Sequence, residues 1–211
     1  KTNKIGYVAA MGLDNSEVTG GIDAFALGIY SVNPDAEVYV KVTNSWYDPK
    51  AEEEAARKLL DMNCDVIAQH CDTVYPQTLA QQKGVYSIGY NSDMSKEAPE
   101  ACLCSVIWNW SAYYTSAVQS VIDGTWDGSN YYGGMNENLV SITPIADFAA
   151  AATKEKVNMA KQQILSGKNG VFDGVIKTNT GAEVGTAGKT LEDSVITGGI
   201  NWYFKTVKVI E

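Results

Sequence analysis

The chain has 211 residues, of which 45 % are hydrophobic and 19 % charged, so it can bury a real core and is not a disordered chain. The formal net charge is −9 and no cluster of Lys or Arg interrupts it, which argues against a nucleic-acid partner. Four cysteines without Cys-x-x-Cys spacing and a single histidine, His70, do not make a zinc site. We therefore predict no metal and no cofactor, and we expect Cys102 and Cys104 to be buried free thiols on one side of a strand.

The first half of the chain alternates between short apolar runs and amphipathic stretches of helical period. The predicted strands lie at residues 4–10, 37–42, 64–70, 85–90 and 101–107. The predicted helices between them run from Ser16 to Asn33, from Pro49 to about Met62, and from Tyr75 to Gly84. Ser16 and Asp48 are the predicted N-caps of the first two. This order predicts an α/β fold with three αβα layers, in which a parallel sheet is covered by helices on both sides.

After residue 107 the pattern changes. An unusually aromatic stretch predicts a helix from Trp108 that ends at Gly124, and residues 131–145 predict a turn and a strand. A further helix is expected at 149–166, a hairpin around residues 179–181, and a last strand at 200–210. No linker or repeat interrupts this order, and no run of residues is apolar enough to span a membrane or serve as a signal peptide.

Polar groups follow four of the predicted parallel strands, at the point where each strand ends. They are Met11-Gly12, Asn44-Ser45-Trp46, His70-Cys71-Asp72-Thr73 and Asn91-Ser92-Asp93. In an open α/β sheet ligands bind outside the carboxyl ends of the strands. One large aromatic face among several hydrogen-bonding groups would suit a flat heterocycle that carries amino groups. We favour Trp46 as a ligand surface, because a loop between a strand and a capped helix seldom needs an indole.

Structural roles compete with ligand contacts at several of these positions. Asp48 is interpreted as a helix cap, whereas Asp72 either caps the next helix or faces the ligand. Asn91 and Asp93 are either turn residues or ligand contacts. His70 has no acidic or nucleophilic partner nearby in sequence, so we expect it in the core or behind the site. Neither a Gly-x-Ser-x-Gly elbow nor a phosphate-binding loop is present, so no catalytic constellation is recognised and an enzyme is not predicted.

Several strings resemble one known family across nearly the whole chain. They include "TNSWYDPKAEEEAARKLL", "DVIAQHCDT", "GVYSIGYNSDMS" and "VIWNWSAYYTSAVQSVIDGTW". They are similar to the basic membrane protein family, the substrate-binding lipoproteins of bacterial ABC importers. The resemblance implies a type I periplasmic-binding-protein architecture, in which two flavodoxin-like lobes close on a purine base or nucleoside. It also implies an extracytoplasmic, lipid-anchored protein with an ABC permease and ATPase as partners, its signal peptide and lipobox lying outside this chain.

The resemblance also implies roles for individual residues. Trp46 would stack on the base, Asn91 and Asp93 would make polar contacts, and the loop with Cys71 and Asp72 would line the site. Trp108 stands where nucleoside-binding relatives often have a lysine that reaches the ribose, which favours a free base such as adenine.

The family carries about a hundred residues before the position of Lys4, about the size of one lobe. We therefore expect residues 1–107 to form a second lobe, 108–140 to be a crossing segment that packs on the absent first lobe, and 141–211 to return to the second lobe. The exposed aromatics of the crossing segment predict self-association of this chain. An alternative function is the ligand-sensing domain of a regulator with the same fold, and a further one is an enzyme on a flavodoxin-like sheet.

Overall fold

The computed structural model describes residues 1–168 and 170–211. Nine strands are described there: β1 (Lys4–Ala9), β2 (Glu37–Val42), β3 (Val66–His70), β4 (Tyr86–Asn91), β5 (Cys102–Trp108), β6 (Val140–Ile142), β7 (Asp173–Lys177), β8 (Glu183–Thr190) and β9 (Val207–Ile210). The helices in the same residues are α1 (Ser16–Val32), α2 (Pro49–Asp61), α3 (Tyr75–Gln82), α4 (Ser111–Ile122), α5 (Ala151–Leu165) and α6 (Asp193–Gly198).

Seven strands form one sheet in the order β6-β5-β4-β3-β1-β2-β9. All neighbours pair in parallel except β6, which runs antiparallel to β5. The predicted α/β class with a mainly parallel, helix-flanked sheet is therefore confirmed. Because β2 lies on one side of β1 and β3 on the other, the direction of strand addition reverses between β1 and β3. Strands β7 and β8 form a separate antiparallel pair.

The core lies on both faces of the central strands. From Ile5 to Ala9, β1 is buried throughout, as expected of a strand covered on both sides. Val38 and Val40 of β2 and Leu59 of α2 are fully buried. Helix α2 packs on β1 and α3, whereas α1 packs against α6.

Several predicted boundaries were wrong, each for a local reason. The N-cap of α1 is Asn15 and not Ser16, because the Asn15 side chain accepts a hydrogen bond from the Val18 amide at 3.1 Å. Trp108 ends β5 instead of starting a helix, because it pairs with Val140. Asp72 does not cap α3, whose N-cap position is Val74 without a side-chain hydrogen bond. The cap assigned to Asp48 is confirmed, since its carboxylate accepts from the Ala51 amide at 3.0 Å.

The C-terminal region also differs from the sequence pattern. The last strand begins at Val207 and not at Ile200, because Phe204 forms only a single bridge with Thr178 and residues 205–206 then form a turn. Helix α6 was not predicted. Strand β9 pairs with β2, so the C-terminal strand joins the same sheet as residues 4–108.

Cys102 is a buried free thiol, as predicted, but Cys104 is partly exposed. The expected alternation breaks because the register between β4 and β5 shifts at Ser87 and Ile88. In the described part of the chain, no helix is both long and apolar enough to cross a bilayer.

Candidate functional site

The candidate site is the edge of the sheet formed by the carboxyl ends of β1 to β5, which we call the carboxyl edge. The reversal of strand order between β1 and β3 places a crevice there, and this is where open α/β sheets bind ligands. Ala9 and His70 are paired at the ends of the two strands. The loops that follow the strands therefore surround one point.

The loop between β2 and α2 turns sharply to bring Trp46 over this point. Asn44 adopts a left-handed conformation with φ 57°, which asparagine tolerates better than most residues. The Thr43 hydroxyl donates to the carbonyl oxygens of Ala9 and Ser45 at 3.2 and 2.9 Å. At the other end of this loop, Asp48 caps the N-terminus of α2. The loop is therefore held on both sides of Trp46, whose side chain is partly exposed.

Three loops are joined by hydrogen bonds next to Trp46. The Asp72 amide donates to the Trp46 carbonyl oxygen at 2.9 Å. The Asn91 amide group donates to the Asp72 carboxylate at 3.3 Å, and Asn91 itself has φ 68°. The structure thus brings together Trp46, Asp72 and Asn91, three of the predicted site residues.

A buried carboxylate braces the same loops from below. Glu52 of α2 is fully buried and accepts hydrogen bonds from the Thr73 hydroxyl at 2.6 Å and the Thr73 amide at 3.2 Å. Its other oxygen accepts from the Asp48 amide at 3.2 Å. Burial raises the pKa of Glu52, while the Thr73 hydrogen bond opposes this. Sequence reasoning missed this brace, because Glu52 looks like an ordinary acid in a solvated helix.

His70 lies behind Trp46 in an aromatic cluster, consistent with the supporting role that its sequence context favoured. Its ring centroid is 4.2 Å from that of Tyr90 and 5.9 Å from that of Trp46. Its Nδ1 atom is 3.3 Å from the Tyr7 hydroxyl. Burial lowers the pKa of His70 to about 4, so the imidazole is neutral at pH 7. Gly21 of α1 lies against the ring, and a Cβ atom there would be 2.8 Å from His70 Cε1.

Trp108 extends the aromatic surface along the edge. Its indole stacks on Trp110 with a centroid distance of 5.2 Å, and Trp110 stacks on Tyr114 at 5.8 Å. Burial raises the pKa of Tyr90 to about 12, and the neighbouring Trp108 side chain opposes that shift. Trp108 therefore lies next to the His70 cluster.

Two predicted site residues lie apart from this group. The Cys71 thiol is buried and points at the Val8 carbonyl oxygen, 3.6 Å away, and burial raises its pKa. Its side chain supports the edge from within the core. Asp93 is exposed and accepts a hydrogen bond from the Ser95 amide at 3.0 Å. This is the turn contact that its sequence allowed. Hydrogen bonds from the Ser95 side chain and amide lower the pKa of Asp93.

Tyr7, Glu17 and Tyr90 belong to the site but were not singled out from the sequence. Glu17 is 73 residues from Tyr90 in the chain, and its carboxylate is 3.5 Å from the Tyr90 hydroxyl. No local pattern signals such a contact. Tyr90 had one usable signal, since it ends the predicted strand directly before Asn91.

Beside the carboxyl edge lies a cavity of about 510 Å³ between Gly12, Val42, Asn179 and Trp202. Its lining does not include Trp46 or His70. Among residues 1–168 and 170–211, no three His, Cys, Asp or Glu side chains are arranged to hold a metal ion.

The fold is an α/β sheet with a crevice at the point where strand order reverses, as in the α/β proteins that bind ligands at this edge. Residues 1–171 match the family model described as Bmp, the PnrA-like substrate-binding proteins of ABC transporters. The chain belongs to this family, as its motifs implied. Two solved structures share the fold. One is a transcriptional activator of the comK gene from Bacillus halodurans, with a TM-score of 0.69 and 21% identity, covering 80% of this chain and 58% of that one. The other is a solute-binding protein of an ABC transporter system from Conexibacter woesei, with a TM-score of 0.62 and 21% identity, covering 79% and 56%.

Two relatives are more similar in sequence. A purine-binding protein of Brucella abortus is 37% identical over 198 residues, which is 94% of this chain and 55% of the relative. A Haloferax volcanii protein named as an ABC transporter glucose-binding protein is 36% identical over 174 residues, covering 82% and 44%. The chain thus spans about half the length of the curated relatives it matches.

Proposed function

We propose that the chain is part of the extracytoplasmic solute-binding component of an ABC importer, and that its carboxyl edge binds a purine base, with adenine favoured. The observation that carries the proposal is Trp46 above the crevice, with the Asp72–Asn91 pair beside it. An indole offers a flat stacking face, and a carboxylate and an amide give directed hydrogen bonds to ring amino groups and nitrogens. The protein would bind and release its ligand without turnover.

Trp108 supports a free base over a nucleoside in this proposal. Its indole stacks on Trp110, so the position offers an aromatic surface and no amine for a ribose. We also propose that Asp93 makes a further polar contact with the ligand, and its exposed carboxylate supports this. In this proposal Cys71 supports the ligand site by packing beneath the carboxyl edge.

A first lobe outside this chain would complete the site. In this proposal residues 1–107 with 141–211 form one lobe, and the crossing segment, 108–140, packs on a first lobe. The apolar surface of that segment supports this: α4 has no buried residue, and Tyr114, Val118 and Ile122 are 56, 60 and 71 % exposed. Without a cover, such a surface promotes self-association.

Sedimentation velocity on the 211-residue chain tests this part of the proposal. We expect concentration-dependent dimers across the micromolar range, and we expect the Tyr114→Ser/Ile122→Ser variant to shift the equilibrium toward monomer. The matched control is Val32→Ser, because Val32 is 74 % exposed on another surface. A clean monomer at all concentrations would argue against self-association.

The proposed partners are an ABC permease and its ATPase, and the proposed location is the outer surface of the cell membrane, held by a lipid anchor. The gene sequence upstream of this chain tests the location. A signal peptide with a lipobox cysteine supports it. A helix-turn-helix segment would instead support the second candidate function, a ligand-sensing domain of a regulator, which is favoured by the fold shared with the comK activator.

Calorimetric titration of adenine, adenosine, guanosine and glucose into the protein at its native length tests the ligand. Glucose is included because one relative is named for it. Heat with adenine that exceeds the heat with adenosine supports the proposal. Binding of glucose alone would overturn it. Liquid chromatography of the nucleoside samples gives a separate test of catalysis, since release of free base would contradict a binding protein.

A further inference from the structure

Glu17 lies at the carboxyl edge, next to Tyr90 and His70. It lies in the first turn of α1, directly after the loop that follows β1, and its side chain is 55 % exposed. One carboxylate oxygen, Oε1, is 3.5 Å from the Tyr90 hydroxyl and 4.0 Å from His70 Nε2. The carboxylate therefore has one oxygen turned toward two protein groups at the crevice.

His70 supplies the second, independent observation. The residue is only 6 % exposed, and its Nε2 atom is buried without a hydrogen-bond partner among the described residues. If the Tyr7 hydroxyl donates to Nδ1, the neutral imidazole carries its proton on Nε2. A buried donor without an acceptor is costly, and Glu17 Oε1 is the acceptor it faces. A shift of about 1 Å would bring that oxygen within hydrogen-bond distance.

The favourable charge of an acid at a helix N-terminus does not account for this arrangement. That effect needs a carboxylate near the first turn but no particular direction of its oxygens. Here Tyr90 and His70 come from two different strands, β4 and β3, and both point at the same oxygen. With Oε1 turned inward, Oε2 has no hydrogen-bond partner among the described residues and can accept a hydrogen bond from the crevice.

We infer that Glu17 is a specificity-determining residue of the carboxyl edge, whose outer oxygen accepts a hydrogen bond from the exocyclic amino group of the bound ring. His70 and Tyr90 are positioning residues that hold the inner oxygen. This inference rests on the proposed function and names the ligand group that the site distinguishes. A ring without an amino group at that position gains no binding affinity from Glu17.

A ligand series separates this role from general binding. We would measure adenine, hypoxanthine and unsubstituted purine by calorimetry on the protein at its native length, as wild type, Glu17→Ala, Glu17→Gln and Asp14→Asn. Removing a hydrogen bond to a charged group corresponds to an affinity loss of about 10- to 100-fold. We expect that loss for adenine with Glu17→Ala, a smaller one with Glu17→Gln, and less than about threefold change for purine. Asp14→Asn is the control, because Asp14 is an exposed acid in the loop that leads into α1.

His70 gives a second, spectroscopic readout, whose signal is easily assigned because His70 is the sole histidine of the chain. In ¹H–¹⁵N spectra we expect Nε2 to be the protonated nitrogen, its resonance to move in Glu17→Gln, and the same resonance to move when adenine binds. Wild type that binds none of the three purines would overturn the proposed function and this inference together. Two results would overturn the inference alone. One is purine binding with an unchanged preference for adenine in Glu17→Ala, and the other is a His70 resonance that does not move in Glu17→Gln.

Discussion

The main-chain amide of Asp72 donates a hydrogen bond to the carbonyl oxygen of Trp46 at 2.9 Å. These residues follow β3 and β2, which are not neighbours in the sheet, because β1 lies between them. The bond therefore closes the two loops over the end of β1. It places the indole at the point where strand order reverses, beside the ring of His70.

The first prediction concerns Trp46 as a stacking surface. Trp46→Ala should weaken adenine binding by at least about tenfold, because stacking of aromatic rings contributes roughly 1 kcal/mol beyond the buried area and the area is lost as well. Trp46→Phe should keep most of the affinity. Calorimetry gives both values. Trp126→Ala is the control, since Trp126 is half exposed in the crossing segment, and an equal loss there would assign the effect to something other than stacking at the edge.

The second prediction compares two glycines of α1. In Gly21→Ala the new methyl group would lie 2.8 and 2.9 Å from His70 Cε1 and Nδ1, so the imidazole must shift and lose its contact with Tyr7. We expect a loss of about 1–3 kcal/mol in the free energy of unfolding and a changed His70 resonance. Gly28→Ala meets nothing within 4 Å and should stabilise the protein by about 0.5–1 kcal/mol. Urea unfolding measures both, and equal effects would contradict the packing of Gly21 on His70.

The third prediction concerns the brace below the site. Thr73→Val removes the hydroxyl that donates to Glu52 at 2.6 Å and leaves a buried carboxylate with fewer partners. We expect a loss of about 1–3 kcal/mol in the free energy of unfolding and weaker ligand binding, because the loop after β3 loses its support. Thr78→Val is the matched control. Its hydroxyl donates only to the Tyr75 carbonyl oxygen within α3, so a similar loss there would weaken the argument.

The fourth prediction is a pH dependence that originates at Asp23. This residue of α1 is fully buried, accepts from the Phe204 amide at 2.6 Å, and burial raises its pKa to about 8. Between the ordinary value of 3.8 and about 8 the folded state keeps a proton that the unfolded state has lost. The contribution of Asp23 to stability is therefore fully present below pH 4 and falls as pH rises toward 8.

Asp23→Asn removes this dependence while the side chain keeps an oxygen for the Phe204 amide. We expect the variant to be more stable than wild type at pH 8, by an amount on the order of a few kcal/mol, and to have a smaller advantage at pH 5. Thermal unfolding from pH 5 to 8 measures the difference. Asp14→Asn, at an exposed acid of the same region, should leave the pH profile unchanged. A parallel profile for wild type and Asp23→Asn would contradict the raised pKa.

Much of the local architecture was predictable because its signals are local. Asp48 followed by Pro49 marks the start of α2 whatever the rest of the chain does, and the structure confirms this cap. Errors arose where a long-range pairing overrode a local preference. Trp108 begins an aromatic run that suits a helix, yet its pairing with Val140 extends β5 through it.

The candidate site was predictable in part for a similar reason. In a parallel sheet all carboxyl ends meet at one edge, so Trp46, Asp72 and Asn91 could be grouped before their contacts were known. Glu17 could not be added, because its contact with Tyr90 depends on where α1 lies relative to β4. Cys71 was placed at the edge by its position in the sequence, whereas the direction of its thiol depends on the packing of the core.

By itself, the sequence determined the alternation of strands and helices, the parallel sheet that follows from it, and the polar character of one edge. These properties depend on residue periodicity and on turn and cap chemistry within a few neighbours. Only the tertiary structure decided that β1 separates β2 from β3, that β9 joins β2, and that Trp46, His70, Tyr90 and Glu17 share one crevice. Those contacts join residues that are far apart in the chain. They could not be predicted locally, because strand order and helix placement are set by packing among all elements at once.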